Sequence, residues 1–407
     1  MTNDISGHDF RDAPSDDFIN AIRTQYPIEA EMDRVLTRKM RLRQAASLAG
    51  FQLEQLVACL KAMLIDQLGG GYEISDTRWL AGGASKMQVF FTLDWDDPEH
   101  GRTRTDMVLR MEPAESLNAT SRVREWQLLA AFRGTLPVPR VFWLDAECRW
   151  FPQEAIVYEF VRGVTKPRRE NSKVSGIGQT FSPETRAILA PQFVDHLARI
   201  HTFDYGNAEM TAFDFPKVGS EESALLQLNR ARRVWAEDRG FEMPLFDLAA
   251  DFLAENLPIL DRPSVLHGDY RAGNFMFDDD TLQITGWLDW ERGYIGDRHR
   301  DLAWTSTSTF GNYAENGKTF LVSGLIPAAD FFRMYEDRSG LAVDPARLRF
   351  YRVLNSLQLM VSALATAYRL VRLGKTHQDV LLAWVEGAGH AQAEELRRAM
   401  QEDLCHA

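Results

Sequence analysis

LHGDYRAGNF, residues 266–275, is strand-like at both ends, yet it carries His267, Asp269 and Asn274 between them. SVL (264–266) reads as a short strand, HGDYRAGN (267–274) as a loop and FMF (275–277) as a second strand. DDD (278–280) is its turn, and LQITGWLDW (282–290) supplies a further strand with Asp289 near its end. Two carboxylates and one amide therefore fall at strand–loop junctions, where a rigid scaffold usually holds reactive groups.

Such a set suits phosphoryl transfer. An aspartate can orient a hydroxyl and accept its proton, while an asparagine oxygen and a second aspartate can hold magnesium against phosphate oxygens. The work is positioning and charge neutralisation, with little covalent chemistry. A plainer reading stays beside this one. Aspartate and asparagine are also a common turn pair, and His267 could be a satisfied structural histidine.

HGDYRAGN followed by LDWE (288–291) resembles the aminoglycoside phosphotransferase or choline kinase-like family, nearest the branch of kinase domains attached to some acyl-CoA dehydrogenases. Asp269 and Asn274 have the five-residue spacing of the kinase catalytic loop. The family pattern continues in Gly296–Asp297 and in Asp301, Leu302 and Ala303. The resemblance covers residues 72–390 and implies an α+β, two-lobed protein-kinase-like fold, with a small mixed sheet lobe and a large, mainly helical lobe. It further implies ATP and Mg2+ as cofactors. Asp269 would be the catalytic base, His267 a brace of the loop, and Asn274 and Asp289 the magnesium ligands. Asp301 would be structural, pairing with the catalytic loop.

GGASKMQVFF (82–91) resembles the family's phosphate loop, with Ser85 meeting phosphate, or else is an ordinary turn. Arg110, in MVLRM, falls where kinases carry the ATP-contacting lysine; an arginine there binds phosphate as a planar fork. Glu125 would be its ion-pair partner. The alternatives are a surface strand arginine and a solvated glutamate. VYEFVRG (157–163) resembles the hinge, so that Tyr158, Glu159 and Phe160 would contact adenine, mainly through backbone groups.

Working outward, residues 1–17 are acidic and polar and are expected to be loosely attached, while 18–68 read as helices ended by Gly69–Gly71. MQVFF and DMVLRM are strands around a turn-rich LDWDDPEHGRTR (93–104). ATSRVREWQLLAAF (119–132) is a helix with Val123, Trp126 and Ala130 on one face, Leu129 beside it, and AIVYEFV (155–161) is a further strand. The expected division is a helical extension at 1–71, an ATP-binding lobe at 72–162 and a catalytic lobe at 163–407. A polar, basic flap lies near 163–184; Lys166, Arg168, Arg169 and Lys173 there either recruit an anionic substrate or form a solvated loop. Helical spacing recurs at Leu189, Phe193, Leu197 and Ile200, at Phe246, Ala249 and Leu253, and across 345–370 and 377–402. Trp287, Trp290 and Trp304 read as core residues or, less readily, as substrate stackers.

The 407 residues carry a formal charge of −12, which argues against general nucleic-acid binding. The three cysteines, Cys59, Cys148 and Cys405, form neither a metal pair nor a disulfide framework. With no signal-type N-terminus and no long apolar run, the expected setting is the cytoplasm, without membrane partners. A homodimer stays open. The expected activity is transfer of phosphate from ATP to a hydroxyl of a small molecule, a hydroxyacyl compound among the candidates. An aminoglycoside or other antibiotic kinase is one alternative, and a non-catalytic nucleotide-binding pseudokinase another. A protein kinase fits less well, because LDWE departs from DFG and no APE-type segment follows.

Overall fold

The computed structural model describes residues 9–43, 51–80, 86–113, 115–168, 180–374 and 379–404. Three helices come first: α1 (Asp16–Gln25), α2 (Ala30–Arg43) and α3 (Leu53–Leu68). Ser15 caps α1 by accepting from the Phe18 N–H. Gly69 ends α3 with φ at 72°, where a Cβ would be strained. Residues 9–15 are not loose. Asp9 pairs with the buried Arg369 at 2.5 Å, Asp12 also pairs with it, and Arg11 donates to the Ala236 carbonyl at 2.8 Å. The attachment is by charge, which apolar periodicity does not register.

The small lobe contains β1 (Glu73–Trp79), β2 (Met87–Asp97), β3 (Gly101–Met111), α4 (Arg122–Phe132), β4 (Val141–Asp145) and β5 (Ala155–Glu159). Its strands form one antiparallel sheet in the order β1-β2-β3-β5-β4. LDWDDPEHGRTR is mostly strand: β2 and β3 pair as far as Asp97 and Gly101, leaving a turn of 98–100.

Strand alternation gives the sheet two faces. Met87, Val89, Phe91 and Leu93 point outward with Met107, Leu109 and Met111, and Leu56, Leu60 and Leu64 of α3 roof them. The opposite parity, Val108, Arg110, Ile156 and Tyr158, points toward α4 and the large lobe. Val108, Ile156 and Tyr158 join the main core there. The functional face of the sheet therefore follows from register.

The large lobe continues with α5 (Pro183–Thr202), α6 (Glu222–Asp238) and α7 (Pro244–Glu255). The short strands β6 (Ser264–Leu266), β7 (Phe275–Phe277), β8 (Ile284–Trp287) and β9 (Tyr294–Gly296) follow, then α8 (His299–Thr305). β10 (Asn312–Tyr313), β11 (Phe320–Val322) and β12 (Ile326–Pro327) make a small sheet. Helices α9 (Ala328–Ser339) and α10 (Pro345–Val361) lead into a π-helical turn, Ser362–Ala367, then α11 (Tyr368–Leu373) and α12 (Asp379–Leu404). Leu189, Phe193, Leu197 and Ile200 of α5 are buried as their spacing predicts, and so are Phe246, Ala249 and Leu253 of α7.

The architecture is thus the expected one: a small sheet lobe and a larger, mainly helical lobe. Helix α2 straps them together. Its Lys39 and Arg43 both reach Asp238 of α6 at 2.8 Å, while Arg43 also holds Glu115 and Arg38 holds Glu154 of the small lobe. The central part of the basic flap, 169–179 with Arg169 and Lys173, lies outside the described residues; before it, Val164 pairs with Phe277 in both backbone directions. Among the described residues no helix is long and apolar enough to cross a membrane.

Candidate active site

The loop after β6 is built around buried carboxylates. Asp301 of α8 accepts from the backbone N–H groups of His267 (2.7 Å) and Gly268 (3.0 Å). Gly268 has φ at 79°, and a Cβ there would lie 2.3 Å from the Arg292 carbonyl oxygen, so only glycine lets the loop close. His267 donates from Nε2 to the Leu288 carbonyl (3.0 Å), and its Nδ1 accepts from the Asp269 N–H (3.3 Å). Burial pushes the His267 imidazole below its ordinary range, against the pull of Asp301 and Asp269, consistent with this neutral form.

Asp269 is held from several sides. Trp304 Nε1 donates to its Oδ1 at 2.7 Å, Arg271 Nε to the same oxygen at 3.1 Å, and Asn274 Nδ2 to its Oδ2 at 2.8 Å. Trp287 and Trp290 pack against His267, so all three tryptophans belong to the buried interior, and Trp304 in addition orients the carboxylate.

Register brings the second carboxylate alongside. Phe275 pairs with Trp287, and the Leu288 N–H donates to the Asn274 carbonyl at 2.8 Å, so Asp289 follows directly beside Asn274. Asp289 sits at φ 60°, a region that aspartate tolerates better than most side chains but that still costs energy. Non-glycine residues kept there cluster at functional sites.

Arg110 links this loop to the small lobe. It reaches Asp289 at 2.7 Å, Glu291 at 2.6 Å and Glu125 of α4 at 3.5 Å. Arg122 pairs with Glu125 and, at 3.2 Å, with both Glu112 and Glu291. Lys86, only 2% exposed, meets Glu112 at 2.8 Å and Glu291 at 3.7 Å. Three cations and three carboxylates are thus buried together, with the half-exposed Asp289 at their edge. Burial alone would raise the Glu291 carboxyl, but Lys86, Arg110 and Arg122 hold it well below its ordinary range. The predicted apolar face of α4 is the wrong one. Ala130 is exposed and Val123 and Trp126 are half-buried, while Arg122, Arg124, Glu125 and Gln127 are buried beside Leu128 and Leu129.

The other expected site residues divide. Tyr158 lies on the same face as Arg110, its hydroxyl pushed up to about 12 by burial. Phe160 packs edge-on against Phe90 at 5.1 Å. Glu159 is exposed, and with Phe160 it lines a groove of about 620 Å3 also bounded by Arg140 and Arg162. The N–H groups of Glu159 and Phe160 donate to the carbonyls of Arg140 (2.8 Å) and Asp106 (2.9 Å). Adenine recognition by these two residues would therefore fall to their carbonyl oxygens. Ser85 lies outside the described residues. Sequence reasoning missed Lys86, although it stands next to Ser85 in the stretch resembling a phosphate loop. It also missed Glu112, Arg122 and the hold of Trp304 on Asp269.

Residues 78–351 match the phosphotransferase enzyme family. The chain belongs to that family. Membership of that family implies catalysis that depends on ATP and magnesium. It is 24% identical over 308 residues to the probable acyl-CoA dehydrogenase IBR3 of Arabidopsis thaliana, covering 70% of this chain and 34% of that one. It is 25% identical over 223 residues to human acyl-CoA dehydrogenase family member 11, covering 51% and 27%. Over 93 residues it is 30% identical to the streptomycin 3''-kinase of Streptomyces griseus, covering 23% and 31%. The chain thus spans about a third or less of each of these relatives. Among solved structures, a putative aminoglycoside phosphotransferase from Ralstonia eutropha superposes with a TM-score of 0.61 at 20% identity, covering 85% of this chain and 98% of that one. A macrolide 2'-phosphotransferase type I gives 0.50 at 17% identity, covering 83% and 97%. At these identities the likeness is one of fold.

Proposed function

We propose that Asp269 orients the acceptor hydroxyl and takes its proton while the γ-phosphoryl group of ATP is transferred. The bond from the γ-phosphorus to the ADP oxygen breaks, a bond from that phosphorus to the acceptor oxygen forms, and ADP leaves. The observation that carries this role is the three-way hold on Asp269 by Trp304, Arg271 and Asn274, which fixes a carboxylate that is still partly open to solvent. Asn274 and Asp289 would hold magnesium through their hard oxygen donors, with waters and phosphates completing the ligand set. Bound magnesium would neutralise charge on the phosphates. Arg110, now on Asp289, would turn part of its fork to the non-transferred phosphates, with Glu291 and Glu125 keeping it in place.

Two readings of the acceptor remain distinct. Streptomycin 3''-kinase and the aminoglycoside and macrolide phosphotransferases among the solved structures favour an antibiotic-type acceptor, and the comparisons support that reading better. A hydroxyacyl acceptor rests on the acyl-CoA dehydrogenase relatives, of which this chain spans a third or less.

The roles separate in two variants. Asp269→Asn is expected to keep MgATP affinity and lose turnover on the order of 10³-fold. Asp289→Ala is expected to weaken MgATP binding about tenfold or more, read by calorimetry. Near-normal kcat in the first, or unchanged MgATP affinity in the second, would remove the corresponding assignment.

A further inference from the structure

Behind the catalytic loop lies a second cluster of arginines with a different character. A cavity of about 50 Å3 is lined by Arg230 of α6, by Arg292 and Arg300, by Gln358 of α10 and by Ser362 and Thr366 of the π-helical turn. Helix α2 and the 117–119 segment close its other side. The volume accommodates a few waters, or a carboxylate or phosphate group. π-helical turns recur at functional sites, and this one places Ser362 and Thr366 in the wall, the Thr366 hydroxyl donating to Asp238 at 2.8 Å.

Among the described residues the three guanidinium groups meet no carboxylate nearer than 4.0 Å. Arg230 donates only to the Ala119 carbonyl, at 3.2 Å, and has no ion pair among the described residues. Arg292 has no hydrogen bond or ion pair there either; it lies 4.4 Å over the Trp304 ring. Arg300 donates to the Gly268 carbonyl (3.1 Å) and to Gln358 (3.0 Å), comes no nearer than 4.0 Å to Asp301, and keeps a buried Nε without a partner. Asp301 is itself committed to the His267 and Gly268 N–H groups. The other cation of the cavity, Lys39, is already paired with Asp238. Burial, with the neighbouring arginines adding to it, pulls Arg292 down to about 9 and Arg230 down to about 10, partly offset by Asp269 and Glu291 near the first and Glu29 near the second. Arg300 is buried while Arg230 and Arg292 are partly exposed, and like charges grouped around one cavity repel unless something else meets them.

The cluster also adjoins the residues that hold Asp269. Arg292 and Arg300 flank Trp304, whose Nε1 holds Asp269, and Arg300 holds the carbonyl of Gly268 in the catalytic loop. From this arrangement we infer that the phosphate acceptor carries an anionic group, a carboxylate or a phosphate, which Arg230, Arg292 and Arg300 bind while its hydroxyl meets Asp269. The inference rests on the kinase reading above and names the charge of its acceptor. Planar guanidinium forks suit carboxylate and phosphate alike, and a polycationic acceptor would meet repulsion here.

The test titrates the full chain, saturated with MgADP, with 3-hydroxybutyrate, its neutral amide, glycerol 3-phosphate and kanamycin, by calorimetry. At least one of the two anions is expected to bind about tenfold or more tighter than the amide. Preference between them tells carboxylate from phosphate. An Arg230→Gln/Arg292→Gln variant is expected to lose that preference, to keep MgADP affinity, and to melt no lower than the parent, because like charges have been removed. Arg292→Lys, tested alone, should retain part of the anion binding. The anion site is overturned if neither anion binds, if the amide or kanamycin binds as well, or if the double variant keeps the preference. MgADP affinity that falls in the double variant would assign the arginines to the nucleotide and overturn the inference as well. Absence of MgADP binding to the parent chain would instead count against the kinase reading itself.

Discussion

Around Arg110, three buried cations meet three buried carboxylates; around Arg292, three arginines meet none closer than 4.0 Å among the described residues. The two clusters adjoin along one stretch of chain, since Glu291 belongs to the first and Arg292 to the second. In the first, each charge is neutralised within the fold, so the cluster is part of the framework that aims Arg110 at Asp289. In the second, the fold keeps positive charge that it does not itself neutralise. A matched network is bought by stability, whereas an unmatched one makes physical sense where a ligand brings the missing charge.

The contrast can be broken most severely at Glu291. Glu291→Gln leaves Lys86, Arg110 and Arg122 with one carboxylate fewer in a buried site, and the expected loss is about 3–5 kcal/mol in denaturant unfolding. A loss below about 1 kcal/mol would mean that the network is not a framework at all.

An acid titration gives a smaller effect. His196 accepts from Trp287 Nε1 at 2.9 Å and is lowered to about 4 by burial; His201, also lowered by burial, bonds the Tyr335 hydroxyl at 2.8 Å. The unfolded chain therefore takes up these protons first, so stability should be intact above about pH 6.5 and fall as pH drops below it. The expected slope is on the order of 1.4 kcal/mol per pH unit for each histidine. Glu291, held low by Lys86, Arg110 and Arg122, stays ionised through that window. Thermal unfolding at pH 7, 6 and 5 checks it, and His196→Gln should flatten the profile.

The smallest effect on stability belongs to the unmatched cluster. Arg292→Gln is expected to stay within about 1 kcal/mol of the parent or to exceed it, in contrast to Glu291→Gln. Similar losses in both would erase the distinction between the clusters.

The same distinction explains what could be read beforehand. The lobes, the strand island at 264–290 and the faces of α5 and α7 follow from apolar spacing and turn residues, which the sequence displays directly. That Asp269, Asn274 and Asp289 lie near one another was legible because their spacing is local and the β7–β8 hairpin keeps it so. Helix α4 was misread because its buried face carries Arg122, Arg124 and Glu125, and a charged residue counts as exposed in any periodicity argument until its partners are known. Lys86 was passed over for the same reason, its partners Glu112 and Glu291 lying 26 and 205 residues away. The Arg230, Arg292 and Arg300 cluster joins α6 to the segment after β8, a juxtaposition that only the folded chain displays.

The most direct measurement is a magnesium-dependent phosphotransfer screen with ATP and a mass readout, over hydroxy acids, hydroxyacyl thioesters, sugar phosphates, amino alcohols, aminoglycosides and macrolides. The expected result is a gain of one phosphoryl group, about 80 daltons, on an anionic hydroxyl compound, absent with Asp269→Asn. Phosphorylation of an aminoglycoside alone would contradict the anionic acceptor, and transfer that survives Asp269→Asn would contradict the role of Asp269.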